Sequence, residues 1–136
     1  MTAEFARDCS ALSGLFDFLG RALKSHDVDE ATAFWVNLAA EELFTNMIRH
    51  NRSTGNRIEA HLEITARDIS MSLTDFGVPP FEPDSVPEVD PTLSAAERTP
   101  GGLGVFIVRS KTDDLSYRHD DGNMTVSFTK NREVPA

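Results

Sequence analysis

The sequence predicts an α+β fold: a two-layer sandwich in which helices cover one face of a mainly antiparallel, mixed sheet. Three observations carry this. Two apolar stripes of helical period precede Asn51. Two consecutive runs of apolar–polar alternation follow. A last pair of alternating runs then closes around Asp121-Gly122-Asn123, a hairpin signal. Helices first and half-wet strands later are satisfied when the helices cover the dry side of one sheet.

The elements follow in order. Thr2 to Ala6 leaves room for a short strand, and Asp8 and Ser10 read as cap residues after it. Leu12, Leu15, Phe16, Leu19 and Leu23 form the stripe of a first helix. From Asp29 to about His50 a longer helix repeats Val36, Ala40, Leu43 and Met47, widened by Phe44 and Ile48, and the polar run Asn51 to Asn56 ends it. Ile58, Ala60, Leu62 and Ile64 alternate with polar residues, and the alternation resumes at Ile69, Met71 and Leu73 before running into Asp75-Phe76-Gly77. Residues 78–100 hold six of the seven prolines and little periodicity, as a lid over a site would. Gly101-Gly102-Leu103-Gly104 then opens a helix carrying Val105 to Val108, and Leu115/Tyr117 with Met124/Val126/Phe128 form the closing hairpin. No internal repeat is present, and 136 residues is the usual size of one domain, expected to span 1–136.

Composition narrows the function. Hydrophobic residues at 40% and charged residues at 26% are ordinary for a globular chain, which argues against disorder or a fibre. Thirteen Lys and Arg against twenty-two Asp and Glu give a net charge of −9 with the basic residues scattered, which disfavours direct nucleic-acid binding. A single nucleotide is a different problem, because one metal ion and a few backbone amides offset its charge locally. The lone cysteine, Cys9, fits a reducing compartment. No apolar run approaches the ~20 residues of a membrane span, and the N-terminus does not read as a secretory signal, so a cytoplasmic location with no membrane partner is expected.

Three motifs carry chemistry. Glu42 and Asn46 lie one helical turn apart and about 40° apart around the axis, at the border of the apolar stripe. A carboxylate there suits a general base, and a carboxamide oxygen is a hard ligand suited to Mg²⁺. Asp75, at a strand end, can accept a hydrogen bond from an adenine amino group while Gly77 lets the base approach the backbone. Gly101 to Gly104 would present backbone amides at a helix start, where phosphates bind. Each has an ordinary alternative: a solvated Glu and Asn, a common turn, a hinge beside a proline-rich loop. No G-x-x-x-x-G-K-[ST] occurs and no G-x-G-x-x-G follows a strand, which removes two common nucleotide sites. His26, His50, His61 and His119 lack metal-ligand spacing and read as structural or surface residues.

In this order, the E-x-x-x-N helix, D-x-G turn, long lid and G-G-L-G helix resemble the GHKL ATPase superfamily. Asp75-Phe76-Gly77-Val78-Pro79-Pro80-Phe81-Glu82-Pro83 and Gly101 to Arg109 look most like the anti-sigma-factor serine/threonine kinases. The resemblance implies ATP and Mg²⁺ as cofactors and a homodimeric switch protein. Such a protein binds a sigma factor or similar target and phosphorylates a STAS-type anti-anti-sigma antagonist. Carried over by position, it implies Glu42 as catalytic base, Asn46 as Mg²⁺ ligand, and Asp75 with Gly77 as adenine contacts. Gly102, Leu103 and Gly104 would hold phosphates, and Thr125 would lie near the adenine. Pro79 stands where many superfamily members carry a second glycine. A partner-binding module without phosphoryl transfer is the rival reading. A histidine-kinase catalytic domain is disfavoured, since only about forty residues precede Glu42 and no phosphoacceptor hairpin is evident among them.

Overall fold

In the computed structural model, which describes residues 1–50, 55–79 and 112–132, the chain opens with strand β1 (Thr2–Phe5) and a short 3₁₀ turn (Cys9–Ala11). Asp8 caps that turn, accepting a hydrogen bond from the Ser10 amide at 2.6 Å, the role its residue type predicts. Helix α1 (Leu12–Ser25) buries Leu15, Leu19, Ala22 and Leu23, so the predicted stripe faces inward and Ala22 joins it. It ends where Asp27 adopts a left-handed φ of 54° and lets the Val28 amide reach back to the Leu23 carbonyl at 3.0 Å.

Helix α2 (Glu30–His50) starts on Asp29. The Asp29 carboxylate accepts the Thr32 amide at 3.0 Å, satisfying a donor that a helix start leaves open, and its carbonyl accepts the Ala33 amide at 2.9 Å as the first bond of the helix. Val36, Ala39, Ala40, Leu43, Phe44 and Met47 are buried on one side. Each large side chain among them contributes about 1.5–3 kcal/mol of burial. Phe5 of β1 meets Phe44 edge-on with ring centroids 6.4 Å apart, so the short first strand is pinned to the long helix.

Strands β2 (Ile58–Ile64), β3 (Asp68–Asp75), β4 (Asp114–Asp120) and β5 (Asn123–Asn131) complete a five-stranded sheet in the order β1-β2-β3-β5-β4. Every pairing among the described residues is antiparallel, so the mixed component expected of the sheet does not occur within them. Alternation decides the layering. Ile58, Ala60 and Leu62, Ile69, Met71 and Leu73, and Met124, Val126 and Phe128 all point to the helix side and are buried. The opposite face carries Glu59, His61 and Glu63 beside Ser70, Ser72 and Thr74 and then Thr125, Ser127 and Thr129. Hydroxyl pairs bridge its strands, Ser70 to Thr129 at 3.3 Å and Thr74 to Thr125 at 3.1 Å.

The two ends of the sheet are closed differently. At one end Thr65 and Asp68 close the β2–β3 turn through the Thr65 hydroxyl, which donates to the Asp68 carboxylate at 3.0 Å and accepts the Asp68 amide at 3.0 Å. Arg132 lies beside this turn. At the other end β1 finishes, β3 finishes at Asp75 and the β4–β5 hairpin turns, with Asp121 (φ 52°) and Gly122 (φ 80°) both left-handed. The C-terminal part of α2 reaches this second end, and the motif residues gather there. No helix among the described residues is long and apolar enough to cross a membrane. Most of the expected lid, and the whole glycine-rich helix, lie outside the described residues.

Candidate functional site

The amphipathic twist of α2 places the two motif residues as the spacing predicts. Asn46 is buried at 2% exposure, while Glu42, one turn earlier, is half-buried at the border of the stripe. Burial pushes the Glu42 carboxyl above its ordinary range; neighbouring Glu41 adds to the rise and Arg49 opposes it. A carboxylate with a raised proton affinity is a better proton acceptor at neutral pH than an exposed one. No side-chain hydrogen bond occupies the Asn46 carboxamide among the described residues, so its oxygen is available there to a hard cation. The donor set of this helix therefore fits a magnesium nucleotide.

Asp75 ends β3 with its side chain on the dry face, fully buried. Its charge is balanced by Arg7, from the connection after β1: the Arg7 guanidinium forms an ion pair with Asp75 Oδ1 and is itself 4% exposed. The remaining nitrogens of the same guanidinium donate to main-chain oxygens, Nε to Asn56 at 3.2 Å and Nη1 to Met47 at 3.3 Å. Burial lowers the proton affinity of Arg7, which remains a cation. Met47 directly follows Asn46, so a single guanidinium ties the E-x-x-x-N helix to the D-x-G turn.

Beyond Asp75 the chain turns sharply and is held from both sides. The Asn56 carboxamide donates to the Phe76 carbonyl at 2.8 Å. The Gly77 amide donates to Asn123 Oδ1 at 3.2 Å, and the Val78 amide to the Gly122 carbonyl at 2.9 Å. His119 donates through Nε2 to the Val78 carbonyl at 2.7 Å. Gly77 has φ +64°, a backbone that a side chain rarely adopts, and a Cβ there would stand 3.1 Å from Asn56 Nδ2. The turn favours glycine for its own conformation, whatever approaches it.

Among the described residues, two sequence-predicted groups therefore converge and Thr125 does not join them. Glu42 and Asn46 share the end of α2 that Arg7 links to Asp75 and its turn. Thr125 requires a correction: it pairs with Thr74, so its hydroxyl is on the wet face of the sheet, across from the side Asp75 occupies. The residue opposite Asp75 is Met124, buried on the dry face. A one-residue step along a strand reverses the face, which is why a motif position off by one misplaces a side chain entirely. Gly102, Leu103 and Gly104 lie outside the described residues.

Sequence reasoning missed Arg7, Asn56, Asn123 and His119. Nothing local marks Arg7, which looks like an ordinary polar residue between a strand and a capped turn. Asn56 and Asn123 were legible only as turn formers. A 520 Å³ cavity is lined by Met1, Gly14, Asp17, Phe18, Arg21, Ala22 and Ser25, none of them a motif residue.

Comparison with known proteins agrees with this geometry. In fold the chain is similar to a solved structure of the RsbU and RsbW domains of Rv1364c from Mycobacterium tuberculosis, with a TM-score of 0.69 at 14% identity. The match covers 97% of this chain and 32% of that one, so this chain spans about a third of the solved protein's length. No curated protein matches the sequence. The family model described as the histidine kinase-like ATPase domain matches residues 5–130, nearly the whole chain. With its buried E-x-x-x-N helix tied to a strand-end D-x-G turn, the chain belongs to the histidine kinase-like ATPase domain family.

Proposed function

We propose that this chain is an ATP- and Mg²⁺-dependent serine/threonine kinase of the anti-sigma-factor type, acting as a single domain and as a homodimer in the cytoplasm. Its partners are a sigma factor or similar target and a STAS-type antagonist. The observation that carries this reading is the linkage of Glu42–Asn46 to Asp75 through one guanidinium, because it unites a base, a hard-ligand donor and a base-reading carboxylate. Family membership supports ATP as the nucleotide, and the fold shared with an RsbW domain supports the anti-sigma type.

In this reading Asp75 accepts from the adenine amino group and the Gly77 turn lets the base lie close. Asn46 is the magnesium ligand, and the ion when bound neutralises charge on the phosphates. Gly102, Leu103 and Gly104 supply amides to those phosphates. Glu42 takes the proton of an incoming serine or threonine hydroxyl as its oxygen bonds to the γ-phosphorus and the bond to the departing ADP oxygen breaks. Thr125 is left without a part, since its hydroxyl is on the wet face.

The test uses the full chain, γ-labelled ATP, Mg²⁺ and the STAS-type proteins of the source cell. Label should pass to one of them, and Glu42→Gln should slow transfer by about 10²–10⁴-fold while ATP affinity stays nearly constant. ATP-dependent capture of a partner with no label transferred would establish the partner-binding module instead. Absence of Mg²⁺-ATP binding in calorimetry would overturn both.

A further inference from the structure

We infer that Arg7 is the positioning residue through which this site prefers 6-amino over 6-oxo purine nucleotides. The inference rests on the reading of Asp75 as the group that meets the base, and it adds what makes Asp75 able to do so.

The argument begins with burial. Asp75 is fully enclosed on the dry face of the sheet, where an ionised carboxylate is strongly disfavoured unless a cation and hydrogen-bond donors accompany it. Arg7 supplies the cation, itself only 4% exposed, and contacts Oδ1. The guanidinium cannot swivel, because Nε and Nη1 are committed to the carbonyls of Asn56 and Met47 while Nη2 meets the carboxylate. A planar fork held at all three nitrogens fixes the direction of whatever it pairs with, which a lysine ammonium does not. Asp75 is thereby kept both charged and aimed.

That state has a chemical consequence. An anionic acceptor takes a hydrogen bond from an amino group at purine position 6 and repels an oxygen at the same position. A carboxylic acid with a proton of its own can serve either. Arg7 therefore sets discrimination without touching the nucleotide, and the gain is selective for the group at position 6.

The experiment compares Mg²⁺-ATP with Mg²⁺-ITP, which carries oxygen at position 6, by calorimetry on the full-length wild type, Arg7→Gln and Arg7→Lys, with thermal melting to check folding. Wild type should prefer ATP. Arg7→Gln should lose about tenfold or more in ATP affinity, equivalent to about 1.4 kcal/mol, while ITP affinity stays within about twofold, so that the preference collapses. Arg7→Lys, retaining the charge but not the fork, should recover part of the preference. Equal losses for both nucleotides, or an intact preference in Arg7→Gln, would overturn the inference and reduce Arg7 to a structural clamp. Should Arg7→Gln fail to melt cooperatively, Arg7→Lys decides alone: a larger loss for ATP than for ITP supports the inference, and parallel losses overturn it. Wild type binding ATP and ITP equally would remove the reading of Asp75 itself, and the inference with it.

Discussion

Arg7 and Arg132 hold opposite ends of one sheet, and they do it with different partners. Arg132 donates to three main-chain carbonyls, Thr65 at 2.9 Å, His26 at 3.0 Å and Asp27 at 3.1 Å, joining the end of β5 to the β2–β3 turn and to the α1–α2 connection. Arg7 reaches two carbonyls and then a buried carboxylate. Carbonyl oxygens must be satisfied in any folded chain, so Arg132 needs no explanation beyond architecture. A buried ion pair is different, since well-packed apolar residues of similar volume often serve stability as well or better. The guanidinium at the far end works through neutral carbonyl partners, so a buried carboxylate is not something that tying down a sheet end requires.

Removing each arginine in turn breaks the comparison most directly. Arg7→Ala removes the cation from beside a buried carboxylate, and urea denaturation should show a loss of about 3–5 kcal/mol. A loss below ~1 kcal/mol would mean that Asp75 finds another partner or a proton at little cost. Gly77→Ala acts at the same end through the backbone. Its left-handed φ and the approach of Asn56 Nδ2 should cost about 1–2 kcal/mol in the same assay and should also weaken ATP binding. Arg132→Ala removes three bonds from a partly exposed site and should cost about 1 kcal/mol. Its ATP affinity, by calorimetry, should match wild type; a shift would show that the far end is coupled to the site.

The smallest expected effect is electrostatic. Burial holds the Glu42 carboxyl above its ordinary range in the folded chain, so folding favours its protonated form. The resulting stability is fully present below the unfolded carboxyl's range and fades as pH rises through the folded value. Glu42→Gln is neutral throughout. Its melting temperature should therefore exceed that of wild type at about pH 8, and the gain should diminish towards about pH 4. A gain that is the same at both pH values would assign the change to packing.

Much of this was legible in advance for a simple reason. Helical and strand periods are written in neighbouring residues, so α1, α2, β2, β3 and the closing hairpin follow from the spacing of Leu15, Leu19, Val36, Leu43, Ile58, Leu62 and Val126. The pairing of Glu42 with Asn46 is likewise local, one turn of one helix. What was not legible depends on contacts distant in sequence. Arg7 meets Asp75 only because Phe5 pairs with Ile58 and Ile58 with Asp75 across two strand registers. Thr125 failed for the converse reason: its strand was read correctly and its phase within the motif was not, and phase is settled only by the partner strand. The four residues of β1 hold too little alternation to announce themselves; its place is fixed by pairing and by Phe5 against Phe44.

The half-dry sheet bears on how far such a sequence can wander. Its inner positions ask for apolar bulk of roughly the right volume, a demand that many combinations meet. Its outer positions, occupied here by serine, threonine and charged residues, ask only to be compatible with water and an extended backbone. Most of the information that specifies the architecture is thus a two-letter rhythm rather than a spelling. Chains that share little of their text can share the whole plan, and identities that persist through such drift are more informative about chemistry than about shape.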